Sequence, residues 1–299
     1  MFKKYFLLVI FAAIGLSLTA CGTADDSNKT TASTNATKDH QQGEYRLVTT
    51  TSAVTNIFNA LNLDLVGIPT TENEIPKRYQ GLTEVGNPMS PDVEIIASLK
   101  PTEVFSVTSL ENDLKPAFEQ VKIPTTFVNL QGLQQMNDSI LDIGSRYNRE
   151  KEAQDLVASI EDKITALTAA VEGKEKPKVL ILLGIPGSYL VATENSYIGD
   201  LVRLAGGENI TFGAKPEYLA SNTEYLQQSN PDVILRLAHG MPDEVVKMFD
   251  EEFKTNDIWK HFSAVQNDRV YDLKEPLFGT TATLEVTTAL EQLIEILYP

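Results

Sequence analysis

Cysteine is nearly absent from this chain. Of 299 residues only Cys21 carries a thiol, so no internal disulfide can staple the fold. Histidine is almost as scarce, with His40, His239 and His261 alone. A zinc or manganese site built on several imidazoles is poorly supplied, although two His can still join carboxylates. Positive charge is in deficit, 25 Lys and Arg against 41 Asp and Glu for a net charge of −16. That balance argues against nucleic acid as a partner, since phosphate contacts need a basic surface. Enzyme signatures are missing too: there is no Gly-rich phosphate loop ending in Lys-Ser/Thr, no His-Glu-x-x-His and no Gly-x-Ser-x-Gly elbow. The apolar run Tyr5 to Leu18 falls short of the ~20 residues that span a bilayer.

What surrounds that short run is informative. Lys3 and Lys4 precede it and Leu18-Thr19-Ala20-Cys21 closes it, giving the basic start, apolar centre and small-residue cleavage site of a secretory signal. Residues 1–20 read as a lipoprotein signal peptide. Cys21 reads as the lipidated first residue of the mature chain of an exported protein, held to the membrane by a two-chain anchor. Residues 21–44 continue as a tether, because Gly22 to Glu44 is nearly all Ser, Thr, Asn, Asp, Lys and Gln and buries too little apolar surface to offset its ordering entropy.

The rest of the chain alternates β-rich runs with helical patterns. Tyr45–Thr50, Leu65–Ile68, Val104–Val107 and Thr126–Val128 come first; Val179–Leu183, Tyr189–Ala192, Val233–Leu237 and Val270–Leu273 follow. Such alternation predicts an α/β fold with mostly parallel sheets. Between the two sets, Leu156, Ile160, Ile164, Leu167 and Val171 recur at helical spacing within Arg146–Glu172, with Gly173 as the stop. A helix of that length reaches roughly 40 Å, suited either to bridging two lobes or to lying on a surface with one face buried. The expected organisation is an N-terminal lobe over 45–145, an interlobe helix over 146–173 and a C-terminal lobe over 174–299. An internal echo joins the halves: Pro91-Asp92-Val93-Glu94 and Ser221-Asn222-Thr223-Glu224 each place a Glu seven residues before a proline, Pro101 or Pro231, that introduces a strand.

His239 follows the strand Val233–Leu237, and ligands in open α/β sheets bind beyond the carboxyl ends of strands. Met89 stands between Pro88 and the Ser90-Pro91 pair. Read singly, the imidazole suits a locally bonded side chain and the thioether a core filler; His261 suits a packed or half-exposed helix end. Read together, Met89 and His239 come one from each half, and Met with His is an axial pair for haem iron. Thr49, Thr50, Thr51 and Ser52 precede a predicted helix and offer hydroxyls and free N–H groups to an anion such as a propionate. Tyr189, beside the Gly184–Gly187 loop, and Phe278 with Thr280 and Thr281 supply further candidate lining, or plain connectors.

Five runs go beyond spacing: Glu84-Val-Gly-Asn-Pro-Met89, Leu182-Leu-Gly-Ile-Pro-Gly-Ser-Tyr-Leu-Val-Ala-Thr193, Tyr197-Ile-Gly-Asp-Leu-Val202, Ala205-Gly-Gly-Glu-Asn209 and Ile234-Leu-Arg-Leu-Ala-His-Gly-Met-Pro242. With them the chain resembles the substrate-binding lipoproteins of bacterial ABC importers, in the branch that carries iron-siderophores, cobalamin or haem, and most nearly its haem receptors. The resemblance implies two similar α/β lobes joined by a single long rigid helix, with haem in the interlobe cleft as transported ligand. It implies Met89 and His239 as axial ligands, and Glu94 and Glu224 as docking carboxylates, one per lobe, for an ABC permease and its ATPase. Cell-wall haem proteins would be the donors and the receptor a monomer, with no catalysis. Ala238 departs from the pattern, which has proline before the histidine; both ligands remain. A ferric-siderophore receptor is the alternative, using Arg and aromatic side chains around an anionic chelate, and an enzyme of haem metabolism is a more distant one.

Overall fold

Five parallel strands form the first sheet, in the order β3 (Thr83–Glu84), β2 (Gly67–Ile68), β1 (Leu47–Thr49), β6 (Glu103–Val107) and β7 (Thr125–Val128). A two-residue-per-strand hairpin, β4 (Gly86–Asn87) with β5 (Ser90–Pro91), follows β3 directly. The second sheet runs β11 (Tyr218–Ala220), β9 (Ser188–Ala192), β8 (Lys178–Ile185), β12 (Val233–Ala238), β13 (Val270–Leu273), with β10 (Glu208–Asn209) also on β8. These positions come from a computed structural model, which describes residues 45–221, 226, 228–239 and 241–299. The signal segment, Cys21, the tether and Glu224 lie outside the described residues.

The internal echo has a topological counterpart. In each sheet the strand introduced by the proline, β6 or β12, runs parallel between the first strand of its half, β1 or β8, and a later one, β7 or β13. Alternation along these strands assigns their faces. Val104 packs outward with Ile96, Leu114 and Phe118, whereas Phe105 and Val107 join the central core. On β8 and β12, Leu180, Leu182 and Ile234 pack against Val245, Phe249 and Trp259, while Val179, Ile181, Val233 and Leu235 face the central core. Both sheets, buried on two faces, therefore read as nearly continuous apolar runs, as parallel strands do.

The helix expected over Arg146–Glu172 starts later and ends sooner. Helix α4 (Leu133–Arg146) ends, the chain turns through Tyr147, Asn148 and Arg149, and α5 (Glu150–Ala169) begins. Asn148 adopts φ 56°, a left-handed conformation that Asn tolerates and that ends a helix. A Cβ on Gly144 would lie 2.4 Å from the Ala153 Cβ, so the missing side chain lets α4 and α5 pack as an antiparallel pair. The apolar stripe is kept, with Ala153, Val157, Ile160 and Ile164 buried. Val171 is buried too but lies past the helix end, and Gly173, at φ 78°, closes the following turn. At 1.5 Å per residue α5 spans about 30 Å. Among the described strands, the chain passes from the first sheet to the second only once, through α4 and α5.

Candidate functional site at the carboxyl edges of the sheets

Parallel strands end on one edge of their sheet, and that edge is where loops carry ligands. Thr50, Thr51 and Ser52 follow β1, Met89 caps the hairpin after β3, and His239 follows β12. Thr280 and Thr281 lie in the chain beyond β13. The two edges touch where Ala282 N–H donates to the Leu130 carbonyl at 2.7 Å, joining the chain beyond β13 to the chain beyond β7.

His239 is half-buried, its backbone N–H bonded to the Gly184 carbonyl at 3.0 Å. Its Nδ1 lies 2.9 Å from the Glu275 carboxylate. Strand register explains the pair: Leu237 stands beside Leu273 on adjacent parallel strands, so two residues further on 239 meets 275. The hydrogen bond to Glu275 holds the imidazole pKa above its ordinary value against the opposing effect of burial. A proton on Nδ1 leaves Nε2 with a lone pair for a metal, the usual way a carboxylate orients a ligating His. Glu275 was missed in the sequence, where the only signal is an acidic residue just past a strand neighbouring the one that precedes His239.

Met89 projects from the β4–β5 turn with 69 % of its surface exposed. Its N–H donates to Asn87 Oδ1 at 2.9 Å, so the turn is ordered while the thioether is uncovered. The core-filler alternative is thereby removed. Met241, left-handed at φ 48° before the helix α6 (Pro242–Thr255), is the other exposed methionine among the described residues, at 54 %. His261 is exposed at the end of the turn Asp257–His261.

Several candidate lining residues are placed differently from the expectation. Thr49 and Thr50 are wholly buried; the Thr49 hydroxyl pairs with Thr55 at 2.8 Å and that of Thr50 points to the Phe105 carbonyl. They brace the end of β1 and offer no surface to a ligand. Phe278 is 4 % exposed within the central core. Tyr189 packs beside Phe249 and Trp259, its hydroxyl 3.4 Å from Glu252, because alternation along β9 turns it to the outer layer. Thr51 is the N-cap of the helix α1 (Ser52–Ala60), accepting from Val54 N–H. Ser52, Thr280 and Thr281 are half-buried, and Ser52 accepts from Asn73. Glu94 is exposed in the first turn of α2 (Val93–Ser98), whose N-terminus is capped by Asp92. A groove of about 460 Å³ between α4, α5 and the 197–204 helix is lined by Asn137, Glu161, Asp200 and Arg203 among others and holds none of the candidates.

Two α/β sheets with loops converging on their carboxyl edges define a binding protein of the two-lobed class. Residues 47–277 match the model of the periplasmic binding protein family, and the chain belongs to that family. It is similar to the high-affinity heme uptake system protein IsdE of Staphylococcus aureus (strain bovine RF122 / ET3-1), 44 % identical over 298 residues, covering 99 % of this chain and 97 % of that protein. Among solved structures, an ABC transporter substrate-binding protein from Listeria monocytogenes EGD-e is 54 % identical with a TM-score of 0.82, over 85 % of this chain and 99 % of that one. S. aureus IsdE complexed with heme is 46 % identical with a TM-score of 0.83, over 86 % and 100 % of the two chains.

Proposed function

We propose that this protein is the haem receptor of an ABC importer: it captures haem between the carboxyl edges of its two sheets and delivers it to a permease. The observation that carries the reading is the pairing of His239 with Glu275, which frees Nε2, together with an uncovered Met89 thioether on the other sheet's edge. An imidazole and a thioether are a low-spin axial pair for haem iron. Similarity to a haem uptake protein and to a haem-bound structure supports the same ligand. Ser52, Thr280 and Thr281 remain as polar groups for the propionates, while Thr51 is buried and caps α1. No group on the chain is asked to do chemistry on the porphyrin, in keeping with relatives that are substrate-binding proteins of transporters.

The lobes are assigned to 45–145 and 174–299, with 146–173 between them. Cys21 anchors the protein by lipid to the outer face of the membrane, and haem arrives from cell-wall haem proteins. Glu94 and Glu224 dock the two lobes on the permease; Ala substitution of both is expected to abolish haem uptake while leaving haemin binding intact, and loss of binding would remove this assignment.

The direct test is a haemin titration, followed by absorption, of the chain from Gly22 onward. Wild type is expected to give a saturable one-to-one Soret change with a low-spin six-coordinate spectrum, altered differently by Met89→Ala and His239→Ala. Spectra insensitive to both substitutions would overturn the ligand assignment and favour a siderophore.

A further inference from the structure

The chain holds five methionines: Met1, Met89, Met136, Met241 and Met248. The structure grades four of them by exposure. Met136 is wholly buried in the central core, Met248 is half-buried against the Trp259 layer, Met241 is 54 % exposed and Met89 is 69 % exposed. Burying a large apolar side chain normally stabilises a fold, so an ordered turn that holds one in solvent forgoes that stabilisation. Disorder does not account for it, since the Gly86–Pro91 and Asn87–Ser90 pairs and the Asn87 side chain fix the backbone around Met89. The protein's own side chains therefore leave the Met89 sulfur with its lone pairs open to solutes.

We infer that Met89 is a peroxide-sensitive modification site, at which oxidation of the thioether to the sulfoxide weakens haem capture. The inference rests on the reading of Met89 as an axial ligand. In the step, Sδ attacks one oxygen of hydrogen peroxide; the O–O bond breaks and an S–O bond forms. Sulfur is oxidised by two electrons, and the departing hydroxide takes the proton left on the transferred oxygen and leaves as water. The product is polar and chiral and presents a hard oxygen where haem iron used a soft sulfur donor. His239 is untouched, so the oxidised receptor keeps one ligand of two. Bound haem occupies the sulfur lone pair, which confines the sensitivity to the empty receptor. Methionine sulfoxide reductases restore the thioether, making the switch reversible.

The test uses the full-length, ligand-free protein in detergent, exposed to graded hydrogen peroxide, quenched with catalase, and divided between peptide mass spectrometry and haemin titration. Oxygen is expected to enter Met89 first, then Met241, then Met248, with Met136 last. Oxidised wild type should show the haemin spectrum and affinity of untreated Met89→Leu, and reductase treatment should return it to the untreated state. Met241→Leu should lose binding as wild type does, whereas Met89→Leu should lose nothing further on oxidation. Oxidation of Met89 no faster than that of Met248 overturns the switch and leaves the axial ligand standing. Wild-type spectra from untreated Met89→Leu overturn the ligand reading itself, and the switch with it, even if Met89 is still the first to oxidise.

Discussion

At the scale of single residues, Glu275 is the group whose removal separates orientation from ligation. Glu275→Gln keeps the size of the side chain but removes the charge that fixes the Nδ1 proton and makes Nε2 more basic. Haemin affinity is expected to fall about 10–100-fold, the range for loss of such a supporting carboxylate, with the six-coordinate spectrum retained; an unchanged affinity would show that His239 is positioned by its backbone alone. The sign of the pH dependence follows from the same bond. Because Glu275 raises the His239 pKa above its ordinary value, acidification through that raised pKa would protonate Nε2 and release the haem iron proposed there. Haemin binding should therefore weaken as pH falls, and in Glu275→Gln the weakening should begin at lower pH. Absorption titrations across pH give both curves.

At the scale of elements, β12 is held to its surroundings by an ion pair within the outer layer of the second sheet. Arg236 is 8 % exposed and reaches Asp272, its register partner on β13, through Nε and Nη2, each at 2.7 Å. Its guanidinium also lies over Phe249 and Phe253 on α6. Asp272→Ala would leave that charge buried beside the single Asp250 contact at 3.0 Å, at a cost of about 3 kcal/mol, the low end for breaking a buried pair. Urea unfolding should report it; a shift under about 0.5 kcal/mol, typical of surface sites, would place the pair effectively in solvent. The periodic stripe of α5 and the apolar runs of the long strands were legible because each depends on spacing within one segment. The break at Asn148 was not, since a left-handed Asn leaves no trace in apolar periodicity. Nor were β3, β4, β5, β10 and β11, whose two or three residues are too short to show a period.

At the scale of the whole molecule, one core cluster runs through both sheets, from Leu47 and Phe105 to Ile181, Leu235 and Leu297, with α5 contributing Val157, Ile160 and Ile164. A shared close-packed core resists rotation of one half against the other. Haem loading is expected to close the protein only slightly, and solution scattering of empty and loaded protein should give nearly the same radius of gyration. A large compaction would show that 146–173 acts as a hinge.

Residue types and local order were determined by the sequence by itself: the excess of acidic residues, the α/β alternation, the echo between halves, and a thioether at Met89 and an imidazole at His239 for the proposed site. These are carried by composition, by spacing within a segment and by long motif runs. Only the tertiary structure decided which candidates face outward. Thr49, Thr50, Tyr189 and Phe278 turned to packing and internal bonds, Met89 to solvent, and Glu275 to His239 across a strand register 36 residues apart in the chain. Burial and register are sums over distant neighbours, and no window of adjacent residues contains them.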